Sequence, residues 1–328
     1  RGKSSVVRFL HAALGEAGLK AYARITGVWP RQLGPGGTRP IARSSGAHVE
    51  EMRWWLRNLP ETAQAIVLEN SAITQDLQGL AGHWLKPDLT VLTNVLPDHQ
   101  EVWGPTRAGA AEALTRGIPE GNRVILPADL QSDDYLLDLL KRRRCETTFV
   151  GSISGVGHDF RARNMGLALA ALETLGHASD LTSRSMVNLP PDQYEFQVVD
   201  HGGAELAMAF SVNDINSTRM LFQSLSWSEE ETRLVYNHRR DRPGRFESFL
   251  GWLNDARWRD VLVIGDKPSM RRYGGRYLRM REPDELTRLL QRGERVFGCG
   301  NIAGLPMALA EGLASQAGLT GFLEDRFQ

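Results

Sequence analysis

The chain has 328 residues, of which 41% are hydrophobic and 24% charged, with 39 Lys plus Arg against 39 Asp plus Glu. That length suits two domains with their own cores, and the composition excludes a disordered chain. A net charge of zero argues against a general nucleic-acid binder, and no apolar run approaches the roughly 18 residues that span a bilayer. Cys145 and Cys299 stand apart, outside any CxxC pair, so a disulfide framework and a four-ligand zinc site are excluded and a reducing compartment is expected.

The first half alternates helical and extended patterns at the spacing of βα units. Val7, Leu10 and Leu14 mark a helix over 3–18, and 21–26 reads as a strand. The stretch 30–46, rich in Gly, Pro, Ser and Arg, is expected to be a loop. A helix over 48–58, a strand over 64–69 and a helix over 74–84 follow. Residues 88–96, rich in Leu, Val and Thr, predict a strand buried on both faces. Helix 106–116, strand 123–126, helix 133–143, strand 147–150 and helix 160–176 complete the series.

The stretch 176–192 lacks periodicity and carries Pro190-Pro191; the domain boundary is expected there, dividing the chain into 1–185 and 186–328. A hairpin around His201-Gly202-Gly203 then leads into a smaller alternating α/β unit.

Gly2-Lys3-Ser4 opens directly into a helix, as the second half of GxxxxGK[ST] does. In that motif glycine amides and the helix N-terminus face phosphate, the lysine reaches the terminal oxygens, and the hydroxyl ligates magnesium. The preceding strand and first glycine would lie before Arg1, and an ordinary helix start is the competing reading. Two further features favour the phosphate reading. Glu69 ends an apolar strand, where charged residues point into the ligand crevice of an open α/β sheet. Thr93-Asn94 and Asp98-His99 end the next strand and could serve phosphate and metal.

Gly2-Lys3-Ser4-Ser5, Thr26-Gly27-Val28-Trp29-Pro30-Arg31, Glu69-Asn70-Ser71, Thr93-Asn94 with Asp98-His99, and Gly104-Pro105-Thr106 occur in that order. In the second half come Asn213-Asp214-Ile215-Asn216-Ser217-Thr218, Asn237-His238-Arg239-Arg240-Asp241-Arg242-Pro243 and Gly298-Cys299-Gly300-Asn301. This pattern resembles the poly-γ-glutamate synthase ligases of capsule biosynthesis (the PgsB/CapB family), a branch of the Mur ligase superfamily. The resemblance covers essentially the whole chain. It implies an α/β fold: a P-loop-containing, Mur-ligase-like central domain followed by a smaller Rossmann-like C-terminal domain.

The activity implied is ATP-dependent amide ligation through an acyl phosphate, with glutamate and a γ-glutamyl acceptor chain as substrates and ATP and Mg2+ as cofactors. Gly2, Lys3, Ser4 and Ser5 would hold the phosphates, with Asn94 beside them. Ser4, Glu69 and His99 would serve the metal, and Lys3, Glu69 and His99 catalysis. Asn164 would contact the base region, and Asp214 and Arg239 the nucleotide from the second domain. The resemblance also implies a cytoplasmic protein, associated with the membrane through an upstream segment or through membrane-protein partners of a capsule synthase complex. Two alternatives stay open: a Mur-type ligase for another amino acid or acceptor, and a P-loop nucleotide-binding regulator without turnover.

Two departures stand out. Mur-type ligases commonly carry a carbamylated lysine on the helix after the DH segment, yet residues 87–140 contain no lysine; Glu112 is the expected substitute. Where relatives place a second Asn near Asn164, this chain has Arg161. Arg31, Arg39 and Arg43 in the first loop are candidates for acceptor contact, and Arg239, Arg240, Arg242 and Arg245 for a polyanion. Gly298-Cys299-Gly300 is read as a tight strand-to-helix turn, since its GxGxxxG spacing departs from the dinucleotide fingerprint.

Overall fold

The computed structural model describes residues 2–43, 48–97, 100–153, 159–269, 273 and 275–316. It divides into two units, Arg1–Leu189 and Pro190–Gln328. The first contains α1 (Lys3–Glu16), β1 (Ala21–Ile25), β2 (Arg31–Gly34), β3 (Gly37–Pro40), α2 (Val49–Arg57), β4 (Ala65–Leu68), α3 (Gln75–Leu85), β5 (Leu89–Val91), α4 (Gln100–Trp103), α5 (Arg107–Arg116), β6 (Arg123–Pro127), α6 (Asp134–Arg142), β7 (Glu146–Val150), α7 (Asp159–Thr174) and α8 (Asp180–Val187).

Four strands pair in the order β3-β2-β1-β4 and three in the order β5-β6-β7. β1 runs parallel to β4, as β5 and β6 do to β6 and β7 respectively. One apolar core joins the elements: Val6, Phe9, Leu10 and Ala13 of α1 meet Ile125 of β6, Met165, Ala168 and Leu172 of α7, and Met186 of α8. The other face of β6 sends Val124 and Leu126 into a second core with Leu136 and Leu140 of α6. Period-2 alternation thus divides one strand between two layers.

Three expectations are corrected. The expected loop over 30–46 holds a hairpin, β2 pairing antiparallel with β3 from Arg31↔Pro40 to Gly34↔Gly37. Its turn needs Gly37 at φ +106°, a conformation that side chains disfavour, and Ile41 N–H donates to Pro30 O at 2.9 Å to close it. The segment 88–96 pairs regularly only through Leu89–Val91, although its side chains do reach two cores, Leu89 and Val91 one, Leu92 and Val95 the other. The aperiodic stretch near 180 is helical: Ser179 and Thr182 form a capping box that starts α8, which packs on α1. A cut at 185 would divide this helix.

The second unit has β8 (Val198–His201), β9 (Ala204–Met208), α9 (Ile215–Ser224), β10 (Thr232–His238), α10 (Pro243–Leu253), β11 (Asp260–Gly265), β12 (Arg276–Tyr277), α11 (Pro283–Thr287), β13 (Arg295–Cys299) and α12 (Leu305–Gln316). Its sheet order is β12-β11-β10-β13-β9-β8, parallel throughout except for the β8–β9 hairpin. Phe222, Trp252, Trp258 and Phe297 form an edge-to-face aromatic core, with centroids as close as 4.9 Å. Among the described residues no helix is long and apolar enough to cross a membrane.

Candidate active site

The site begins where α1 does. Gly2 caps the helix at φ +79°, and an added Cβ there would lie 2.4 Å from the Asn164 side-chain oxygen on α7. Backbone conformation and close packing therefore both demand glycine. Lys3 follows with its side chain half-exposed, and no acidic residue occupies the first turn. The N-terminus of a 14-residue helix with an adjoining lysine favours an anion.

The C-terminal ends of β1 and β4 meet this helix start. Glu69, one residue beyond β4, is 6% exposed. Its Oε2 accepts from Ser4 Oγ at 3.1 Å and from Thr26 N–H at 3.0 Å, while Lys3 Nζ lies 4.0 Å from Oε1. Gly27 leaves room for Ser4: a Cβ at that position would come within 3.3 Å of the hydroxyl. The loop after Glu69 is held by side-chain amides, Asn70 donating to Gln78 at 2.8 Å and accepting from Ala72 N–H at 2.9 Å. The oxygens of Ser4 and Glu69 suit a small, hard, oxygen-loving cation such as Mg2+.

The structure thus brings Gly2, Lys3, Ser4, Glu69 and Asn164 together, with Ser5 next along α1. Asn164 sits at the helix start, against Gly2. Asn94 forms a local turn, its side-chain oxygen accepting from Leu96 N–H at 3.2 Å. His99, with Asp98, lies outside the described residues. Glu112 accepts from the Tyr135 hydroxyl across the α5–α6 contact, which raises the Tyr135 pKa; no described hydrogen bond or ion pair of Glu112 reaches Lys3, Ser4 or Glu69. Arg161 donates to the carbonyl of Met186 in the last turn of α8 and to that of Leu189 just past the helix, and it stacks 5.0 Å from the Phe9 ring centre.

In the second unit Asp214 caps α9, accepting from Ser217 N–H at 2.7 Å. Arg239 donates twice to Asp241, at 3.0 and 2.6 Å, and holds that carboxyl below its ordinary value. Arg242 lies 3.9 Å from Asp241 and Arg245 donates to Asn301, so three arginines of the expected polyanion cluster have partners within the unit. Gly300 turns at φ +97°, where Asn237 and Asn301 exchange side-chain-to-backbone bonds of 2.6 and 3.0 Å; this is the tight turn the spacing predicts. Burial raises the Cys299 thiol pKa well above its usual value, which suits a core residue.

The first hairpin also redirects its arginines. Arg31 is buried against Trp29 and Arg43 is paired with Glu51, leaving Arg39 exposed. Sequence reasoning missed Arg24 and Glu51. The available signal was an arginine inside the short strand Ala-Tyr-Ala-Arg-Ile, where an exposed position and a fully buried one read alike.

A glycine-led helix start facing a strand-end carboxylate is the layout with which P-loop enzymes approach nucleotide phosphates. Residues 1–180 match the Mur ligase middle domain, and the chain belongs to the Mur ligase family of ATP-dependent amide ligases. Residues 194–316 match the poly-gamma-glutamate synthase CapB C-terminal domain. The chain is 26% identical over 348 residues to PGA synthase CapB of Bacillus subtilis (strain 168), covering 95% of this chain and 87% of that protein. It is 28% identical over 270 residues to the capsule biosynthesis protein CapB of Bacillus anthracis, covering 76% of this chain and 58% of that protein. Its fold resembles that of the MurF ligase from Thermotoga maritima, solved in complex with ADP: the TM-score is 0.68 at 15% identity, over 96% of this chain and 79% of that one.

Proposed function

We propose that this ligase joins glutamate through γ-amide bonds to a γ-glutamyl acceptor, in capsule or poly-γ-glutamate synthesis. ATP transfers its terminal phosphoryl group to the acceptor γ-carboxylate, giving an acyl phosphate and ADP. The amine of the incoming glutamate then attacks the acyl carbon, the amide bond forms, and inorganic phosphate leaves with the C–O bond electrons. The observation that carries the nucleotide part is the convergence of Lys3 and Ser4 with buried Glu69. The glutamate part rests on the likeness of both halves to capsule proteins.

Within this reading Gly2 and the first amides of α1 bind phosphate oxygens, and Lys3 follows the charge that develops on the transferred group. Ser4 and Glu69 would hold Mg2+, with His99 a further candidate from the segment after β5. Bound there, Mg2+ would offset phosphate charge. Thr26 N–H and Ser4 Oγ orient the Glu69 carboxylate. Glu112 is assigned to the α5–α6 contact. Small membrane proteins of a capsule synthase complex are the proposed partners, and association with the cytoplasmic face of the membrane would follow from them.

The test is ADP release with Mg-ATP, with and without glutamate and a short γ-glutamyl acceptor. Release should require both substrates and fall by about 100-fold or more in Lys3→Ala, the scale on which losing one preorganised charge-stabilising contact is felt. His99→Ala should lower it as well. Nucleotide binding with no acceptor-dependent release would remove the glutamate reading.

A further inference from the structure

Arg24 lies at the end of β1 with its side chain 0% exposed, among the largest fully buried side chains of the protein. A buried guanidinium is costly unless its donors are satisfied. Here Nε donates to Glu51 Oε1 at 3.1 Å, Nη2 also donates to Glu51, and Nη1 donates to the main-chain carbonyl of Glu69 at 3.2 Å. Residue 69 is held from its other side as well, because Glu69 N–H donates to Arg24 O at 3.1 Å. One residue therefore grips both peptide groups of the other.

Glu51 stands in the first turn of α2, where the helix N-terminus favours a carboxylate. Arg43 binds both of its oxygens, Nε donating to Oε2 at 2.5 Å and Nη2 to Oε1 at 2.7 Å. Glu51 and Arg43 are 13% and 14% exposed. The group spans β1, the segment after β3, α2 and the end of β4, and the Glu69 carboxylate points from it toward Ser4, Thr26 and Lys3. A plain helix anchor would need only the Arg24–Glu51 pair, whereas the Nη1 bond spends a buried donor on one particular carbonyl.

We propose that Arg24 is a positioning residue of the ligase: it clamps the backbone of Glu69 so that the carboxylate keeps its aim at Ser4, with Glu51 and Arg43 holding the guanidinium in place. This rests on Glu69 being a metal ligand, and it predicts a defect in metal binding rather than in nucleotide binding. Partners that orient a metal ligand are typically worth about 10–100-fold in metal affinity.

The experiment uses the whole protein with a non-hydrolysable ATP analogue and Mn2+ as probe, reading free Mn2+ by electron paramagnetic resonance. Arg24→Lys and Glu51→Gln should weaken Mn2+ binding by about 10–100-fold. Affinity for the analogue in EDTA should stay within about twofold. Mn2+ affinity equal to the parent's in folded Arg24→Lys and Glu51→Gln overturns the clamp, as does an equal loss of metal and metal-free nucleotide binding. Glu51→Gln keeps the side-chain shape and an acceptor oxygen, so it carries the test by itself if Arg24→Lys fails to fold. Glu69→Gln separates the two readings. If it loses Mn2+ while the clamp variants do not, only the clamp falls; if it binds Mn2+ like the parent, the reading of Glu69 falls and the clamp with it.

Discussion

At Gly2 a left-handed backbone and the Asn164 amide occupy all the room a side chain would need. Gly2→Ala should weaken nucleotide binding by about fivefold or more, because strain of this kind costs ~1–3 kcal/mol; titration with a fluorescent ATP analogue measures it. Glu51 carries a pH signature. Burial pushes its pKa up, but the hydrogen bonds from Arg43 and Arg24 and their charges outweigh burial and hold it below the ordinary 4.5. A carboxyl with a depressed folded value stabilises the protein above its unfolded value, and that contribution is lost as the pH falls through the folded one. The stability gap between the parent and Glu51→Gln should therefore be full near neutrality and shrink below about pH 4.5, as read from urea midpoints at several pH values.

α2 shows how an element sorts neighbouring residues. Trp54 and Trp55 are adjacent, so helix geometry turns them about 100° apart. Trp55 is buried and donates to Gln32 Oε1 at 2.7 Å, tying α2 to the β2–β3 hairpin, whereas Trp54 is 60% exposed. Trp55→Ala should cost about 3–5 kcal/mol and Trp54→Ala about 0.5 kcal/mol or less. Chemical denaturation of the two variants checks the contrast. β6 sorts its residues by the same logic with a period of two, which lets one short strand serve two cores. α8 depends on its own start, the Ser179–Thr182 box, and on Arg161 for one carbonyl of its last turn and one just past its end.

For the whole molecule, the division after Leu189 gives each unit its own sheets and apolar interior. The P-loop tail, Glu69 and the Arg24 group all belong to the first unit, so nucleotide should stabilise the protein through that unit. Mass action sets the scale: Mg-ATP at 100 times its Kd adds about 2.7 kcal/mol. The thermal midpoint should rise accordingly in the parent and fail to rise in Lys3→Ala. A similar rise in both proteins would mean that nucleotide is held elsewhere.

The amino-acid sequence by itself determined the α/β class, most helices and strands, and which residues make up the phosphate half of the proposed site. Those features are local: Gly2-Lys3-Ser4 is contiguous, Glu69 is a charge at the end of an apolar run, and caps and periodicity act over a few residues. Only the tertiary structure decided the rest. The β2–β3 hairpin hid behind loop-like composition because its strands are four residues each and gain stability by pairing onto β1. Glu112 faces Tyr135 because α5 packs on α6, and Asn164 meets Gly2 because α7 packs on α1. Arg24 and Glu69 are 45 residues apart, and the parallel register of β1 on β4, Arg24 opposite Leu68, sets them side by side. Local propensity carries no record of that register; it follows from packing both strands against α1, where long-range contacts offset the entropy of closing the chain between them.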